Sequence, residues 1–172
     1  MAARHEEFEQ AAMQHTRSLL RVALRLTSDA NAAEDLVQET MLLAWRNFRQ
    51  LRDPSFARPW LFRILFNAFY AQGRKQRAMP SAVSLSAGIE GHMEPATGFS
   101  ALDAAEISQA LDTLHEDHRT VLLLCVVEGF TAREAAGILD LPMGTVMSRL
   151  SRAREALRAR LAPSTACAEK EV

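Results

Sequence analysis

A chain of 172 residues with 48% hydrophobic and 24% charged residues has the makeup of an ordinary soluble protein with a buried core, which excludes wholesale disorder. Its formal net charge of -1 is silent about partners. The longest apolar runs, such as Val121 to Val127, are too short for a membrane span, so the expectation is a cytoplasmic protein without membrane insertion. Cys125 and Cys167 have no metal-ligand spacing and read as free thiols, Cys125 as core filling.

Charge is unevenly distributed. Residues 1 to 80 hold twelve Lys/Arg against eight Asp/Glu. Asp53 and Glu90 are separated by a stretch without acids, and Arg77 and Arg119 by one without bases. Two basic islands are therefore set far apart in the chain.

Apolar spacing is helical almost throughout, which predicts an all-α fold. The first helix is expected from about His5 to Leu26, with Phe8, Ala12, Leu19, Val22 and Leu26 on its apolar face. After "TSDAN", Asn31 is the expected N-cap of a second helix, with Glu34 completing a capping box. That helix runs to about Leu51 through Val37, Met41, Ala44 and Phe48. A second stripe on it joins Asp35, Gln38, Glu39 and Leu42. Pro59 suits the first turn of a third helix reaching about Arg77. On this helix Phe62, Phe66 and Phe69 belong to the core. Arg63, Asn67, Tyr70 and Arg74 form a polar stripe that, with Lys75 and Arg77, suits melted nucleic acid: cations for phosphates, aromatic and amide groups for unstacked bases.

The segment 79–103 gathers Gly, Pro and Ser and reads as a flexible linker. Beyond it, Ile107, Leu111 and Leu114 open a second bundle, and "LHEDHRTVLLLCVVEGF" reads as a turn and a buried helix stopping near Gly129. His115 and His118 could suggest a metal pair, but beside acids in a polar turn they read as hydrated surface. Thr131 can cap "AREAAGIL". A turn at "DLP" and a helix with five arginines against one glutamate, residues 144–161, complete a helix-turn-helix. Such a motif needs a small residue, a turn residue tolerant of positive φ and an apolar anchor, which Ala136, Asp140 and Val146 supply. Val146, Leu150, Ala153, Leu157 and Leu161 form the core stripe. Thr145, Ser148, Arg149 and Arg152 lie opposite, suited to phosphate oxygens and guanine edges. A solvated surface helix is the plain alternative.

The strings "AEDLVQETMLLAWRNF", "RPWLFRILFNAFYAQGRKQR", "LDTLHEDHRTVLLLCVVEGFTAREAAGIL" and "MGTVMSRLSRAREALRARL" resemble, in order and spacing, regions 2 and 4 of the extracytoplasmic-function sigma factors of bacterial RNA polymerase. The resemblance implies a region 2 domain at residues 1–78, the linker at 79–103, a region 4 domain at 104–163 and a tail at 164–172. It also implies partners: core RNA polymerase, through the clamp helices of the largest subunit and the flap of the second, promoter DNA, and an anti-sigma factor. Asp35, Gln38, Glu39 and Leu42 match the polymerase-docking surface. Residues Asn67 to Arg77 match the part that captures the melted −10 element, and residues 145–152, Met147 included, match the −35 reader. Met147 stands where the family is often basic, so its contact would be apolar, for instance to a thymine methyl. Ala71 replaces a common acid, and "FNAFY" resembles a subgroup tied to general stress responses. No cofactor, metal or catalysis is implied. Two other functions remain open from the sequence: a sigma mimic that titrates an anti-sigma factor, and a stand-alone helix-turn-helix regulator.

Overall fold

The computed structural model describes residues 2–78 and 101–161, and every regular element among them is helical. Residues 79–100 of the expected linker, and residues 162–172 with the expected tail and Cys167, lie outside the described residues.

Helices α1 (Ala2–Ala12) and α2 (Thr16–Thr27) replace the single first helix expected from the sequence, with a 3-10 turn at Met13–His15 between them. Neither Gly nor Pro marks that break. His15 and Thr16 are weak helix formers, and packing fixes the direction of α1: Phe8 meets Trp45 and Phe48 edge-on at 5.3 Å each. Helix α3 (Ala30–Asn47) is capped by Asp29, not Asn31; the Asp29 carboxylate accepts the Ala32 N–H at 2.7 Å. Asp caps as well as Asn, and Ser28 in the left-handed region (φ 53°) has already closed α2, so the earlier residue takes the role. A 3-10 turn at Phe48–Gln50 ends this helix short of Leu51.

Helix α4 (Ala57–Ala78) comes after a short 3-10 turn capped by Asp53, with Pro59 in its first turn. Phe62 and Phe66 are fully buried, while Phe69 is only half-buried and tilts against Tyr70. Helices α2, α3 and α4 form the first bundle.

Helix α5 (Ala101–Asp112) begins within the compositional linker, because Ala101, Leu102, Ala104 and Ala105 extend the helix-favouring sequence ahead of Ile107. Helix α6 (Glu116–Leu122) continues as a π-helical turn through Leu123–Val127. The wide turn adds a residue and rotates the next part of the chain. Val126 and Val127 thus face outward instead of filling the core, and Glu128 turns in. Gly129, at φ +71°, then reverses the chain as residues with a Cβ rarely can. Helices α7 (Ala132–Leu139) and α8 (Met143–Leu161) complete the second bundle with α5 and α6.

The two bundles share a core. Phe62 of α4 packs edge-on against Phe130 at 5.2 Å, and Val121, Leu124, Ile138 and Val146 join the cluster built on Leu19, Leu36 and Leu61. At its rim lies the buried carboxylate of Glu128. It accepts from Arg21 at 2.7 Å and from Arg58 at 3.0 Å, both from the first bundle. Arg58 also donates to the Glu128 backbone carbonyl at 2.6 Å and lies 4.3 Å over the Phe130 ring.

Two histidines titrate below their ordinary value. Burial lowers His15, helped by Arg58, and burial lowers His118, helped by His115 and Arg152. The unfolded chain therefore binds these protons first on acidification. The stability contributed by the neutral rings is whole above the unfolded value of ~6.5 and is lost as pH falls through the lower folded values. Urea unfolding is expected to show lower stability at pH 5.5 than at pH 7.5, and His15→Gln to narrow that difference. The depressed Asp53 and Glu134 carboxyls act only at more acid pH. An unchanged difference in the variant would remove His15 as a contributor.

Candidate nucleic-acid and polymerase interfaces

The helix-turn-helix is built as its local chemistry requires. Thr131 caps α7 with a full capping box: its hydroxyl accepts the Glu134 N–H at 3.2 Å, and Glu134 accepts the Thr131 N–H at 2.8 Å. Asp140 occupies the left-handed region (φ 54°), and the Leu141 N–H reaches back to the Ala136 carbonyl at 3.0 Å. That i to i−5 bond closes a Schellman turn, which aims α8 across α7. Val146, Leu150 and Ala153 are buried beneath α8 and Leu157 is half-buried, but Leu161 is exposed, so the core stripe ends a turn earlier than its spacing suggests. The helix outruns the bundle there, leaving Leu161 nothing to pack on.

Opposite this stripe, Met147, Ser148 and Arg152 are exposed, with Thr145 at their edge. The Ser148 hydroxyl is turned back to the Thr145 carbonyl at 3.0 Å. Arg149 is held more closely: its guanidinium lies 2.9 Å from the carboxylate of Asp117, on the first turn of α6. These five side chains make one polar face with an apolar point at Met147.

The stripe on α4 is divided. Arg63, Asn67 and Arg74 are exposed, whereas Tyr70 is half-buried under α6 and its hydroxyl donates to Thr120 Oγ1 at 3.2 Å. Burial raises the Tyr70 phenol above its usual range, so it stays a neutral donor. The side chains of Lys75 and Arg77 lie outside the described residues.

On α3, Asp35, Gln38 and Leu42 are exposed along one face, Leu42 to 49%. Glu39 is half-buried and accepts from Gln72 of α4 at 2.6 Å, so it braces the two helices more than it faces outward. His115 has a structural task that sequence reasoning misses: its Nδ1 accepts the Asp117 N–H at 3.3 Å and so caps α6. Cys125 is half-buried, and burial pushes its thiol up, against reactivity. Arg21, Arg58, Asp117 and Glu128 escape sequence reasoning as well. The one available signal is Glu128, an acid at the end of an apolar run.

Residues 11–79 match the family described as Sigma-70 region 2, and residues 104–157 match Sigma-70, region 4. These two regions in this order, on an all-helical chain with a helix-turn-helix in the second, define a sigma-70-type architecture. At 38% identity over 145 residues, the chain is similar to the ECF RNA polymerase sigma factor EcfG of Rhodopseudomonas palustris, covering 84% of this chain and 79% of that one. It is 37% identical to the ECF RNA polymerase sigma factor SigL of Mycobacterium tuberculosis over 147 residues, 84% and 83% of the two chains. Among solved structures, the sigma factor RpoE in complex with the anti-sigma factor NepR from Bartonella quintana superposes with a TM-score of 0.75 at 34% identity, covering 92% of this chain and 99% of that one. CnrH in complex with the cytosolic domain of CnrY gives 0.63 at 28% identity, covering 88% and 85%. The chain belongs to the ECF RNA polymerase sigma factors.

Proposed function

We propose that the chain binds core RNA polymerase and directs it to promoters by recognising a −35 element with α8 and a −10 element with α4, aiding −10 melting. The observation that carries this reading is the α7–α8 helix-turn-helix, whose second helix exposes Met147, Ser148 and Arg152, with Thr145 and the Asp117-paired Arg149 at their flanks, while Val146 and Leu150 anchor it. Phosphate contacts supply salt-dependent affinity and base contacts supply the choice of promoter. The chain acts by binding, not catalysis, in the cytoplasm, where polymerase and DNA are. No helix among the described residues is long and apolar enough to cross a membrane.

The domain limits 1–78 and 104–163 stand as part of this proposal, with Asp35, Gln38 and Leu42 as the polymerase-docking residues and Glu39 as their brace. Arg63, Asn67, Tyr70 and Arg74, continued by Lys75 and Arg77, are the −10 residues. Because Tyr70 lies under Thr120, its use on DNA requires α6 to withdraw from α4. The docking stripe on α3 is exposed in this same arrangement, so polymerase docking can precede that opening. The solved relative RpoE of Bartonella quintana is bound to the anti-sigma factor NepR, which favours such a regulator as a further partner here.

Run-off transcription with core polymerase on a genomic fragment library tests the reading. New discrete starts preceded by a shared pair of elements support it. Polymerase binding without starts would favour a sigma mimic instead. Asp35→Arg with Gln38→Ala is expected to weaken core association about tenfold, the scale of losing one well-placed interface group. Unaffected capture of polymerase by the double variant would move the docking surface elsewhere.

A further inference from the structure

We infer that Asp117 is a specificity-determining residue, a buttress that holds the Arg149 guanidinium in the orientation with which it reads a base; the inference rests on the −35 reading of α8. Arg149 lies between the buried Leu150 and the exposed Ser148, on the side of α8 that borders α6. Its Nη2 is 2.9 Å from Asp117 Oδ2. The backbone of Asp117 is held independently of this pair. Its backbone N–H is bound by His115 Nδ1, and its carboxylate sits on the first turn of α6, where the helix dipole favours an acid.

A free arginine must order several rotatable bonds when it meets a base, which costs affinity for right and wrong bases alike. Arg149 already has a partner for its guanidinium in the Asp117 carboxylate. A guanidinium offers five N–H donors in a rigid plane, so engaging the Asp117 carboxylate leaves donors for guanine O6 and N7. A planar group held in one orientation pairs well with the base that matches it and poorly with the others, which is discrimination.

The carboxylate has a second consequence. It offsets one positive charge of the α8 face and so reduces the attraction to phosphate that any sequence offers. His118, beside Arg149 and Arg152, is kept largely neutral near pH 7 by burial and by its basic neighbours, the opposing pull of Asp117 notwithstanding. Indiscriminate charge on this face is thereby kept low, with Arg152 and the oriented Arg149 as its cations.

The experiment uses holoenzyme reconstituted from core polymerase and the full chain. It measures competitive run-off transcription on templates from the mapped start sites, each with a single −35 base pair changed. Arg149→Ala locates the position that Arg149 reads by flattening preference there. Asp117→Asn is expected to reduce preference at that same position about two- to five-fold, the range of a partly exposed ion pair, and to leave other positions unchanged. It should also raise holoenzyme retention on non-promoter duplex. Asp117→Glu should restore part of the preference, which a merely structural loss would not allow, and matched thermal unfolding shows that the variants are folded. In the double variant Asp117→Asn with Arg149→Ala, the position should look as it does in Arg149→Ala alone. If Asp117→Asn keeps the wild-type preference where Arg149→Ala loses it, the buttress is overturned while the −35 reading survives. If Arg149→Ala changes no position, the −35 role of Arg149 fails and the buttress with it.

Discussion

Arg58→Ala is expected to lower the stability of the free protein by about 3 kcal/mol, toward the low end of the range for a buried ion pair that loses one partner. The substitution removes the 3.0 Å pair to the Glu128 carboxylate, the 2.6 Å bond to its carbonyl, and the contacts with the Phe130 and Phe62 rings. It leaves Glu128 with Arg21 as its remaining cation, at a side chain only 1% exposed. Glu128→Gln should cost less, because Arg21 and Arg58 are partly exposed and can rehydrate. In the double variant the loss should fall well short of the sum, which is the mark of coupled partners. Urea unfolding of the four proteins measures this cycle. Small-angle scattering adds a second readout, since the pair joins the two bundles: Arg58→Ala should enlarge the radius of gyration. Additive losses, each below about 0.5 kcal/mol, would mean that Glu128 does not fasten the bundles.

The same cluster shows where sequence reasoning reaches its range. Helices, their order and the helix-turn-helix turn are local properties. Asp140 is legible because its left-handed conformation is demanded by neighbours four and six residues away, Ala136 and Val146. Phe62 and Phe66 are legible as core because helical periodicity places them together. Arg21 and Arg58 are 107 and 70 residues from Glu128, and no periodicity joins groups so distant. The outward turn of Val126 and Val127 is hidden for a related reason. A π-turn shifts phase by one residue, while a pattern read at constant pitch assumes none.

The candidate site divides along the same line. Exposure of Asp35, Gln38, Leu42, Asn67 and Arg152 comes from the polar side of each helix, which one helix's sequence fixes. Glu39, Tyr70 and Arg149 are the members that a second helix engages, through Gln72, Thr120 and Asp117. Periodicity assigns each to an outward stripe, yet each is bound to a neighbour, because helix packing decides which flank of a stripe faces water. The cap of α3 is a milder case: Asp29 and Asn31 both have the chemistry, and only the position of the preceding left-handed Ser28 decides between them.

Arg149→Ala combined with Arg152→Ala should have the largest functional effect, a loss of −35-dependent transcription of at least thirtyfold with polymerase binding unchanged. A bidentate arginine–base pair is worth about 1–3 kcal/mol of discrimination, and two together give roughly 2–6 kcal/mol if they act independently. Thirtyfold is the scale of the lower end of that range. Neither residue supports the core: Arg152 is exposed and Arg149 pairs at the surface with Asp117, so the fold should survive. If phosphate contacts go too, the loss should be greatest at low salt and shrink as salt rises, because the variant releases fewer counterions on binding and its affinity falls less steeply. Transcription from promoters with intact and scrambled −35 elements, set beside polymerase capture, separates the outcomes. Unchanged output from the intact promoter would remove the −35 assignment from α8. Equal losses on both templates would assign the two arginines to phosphate attraction alone, and base choice would then rest with Thr145, Met147 and Ser148.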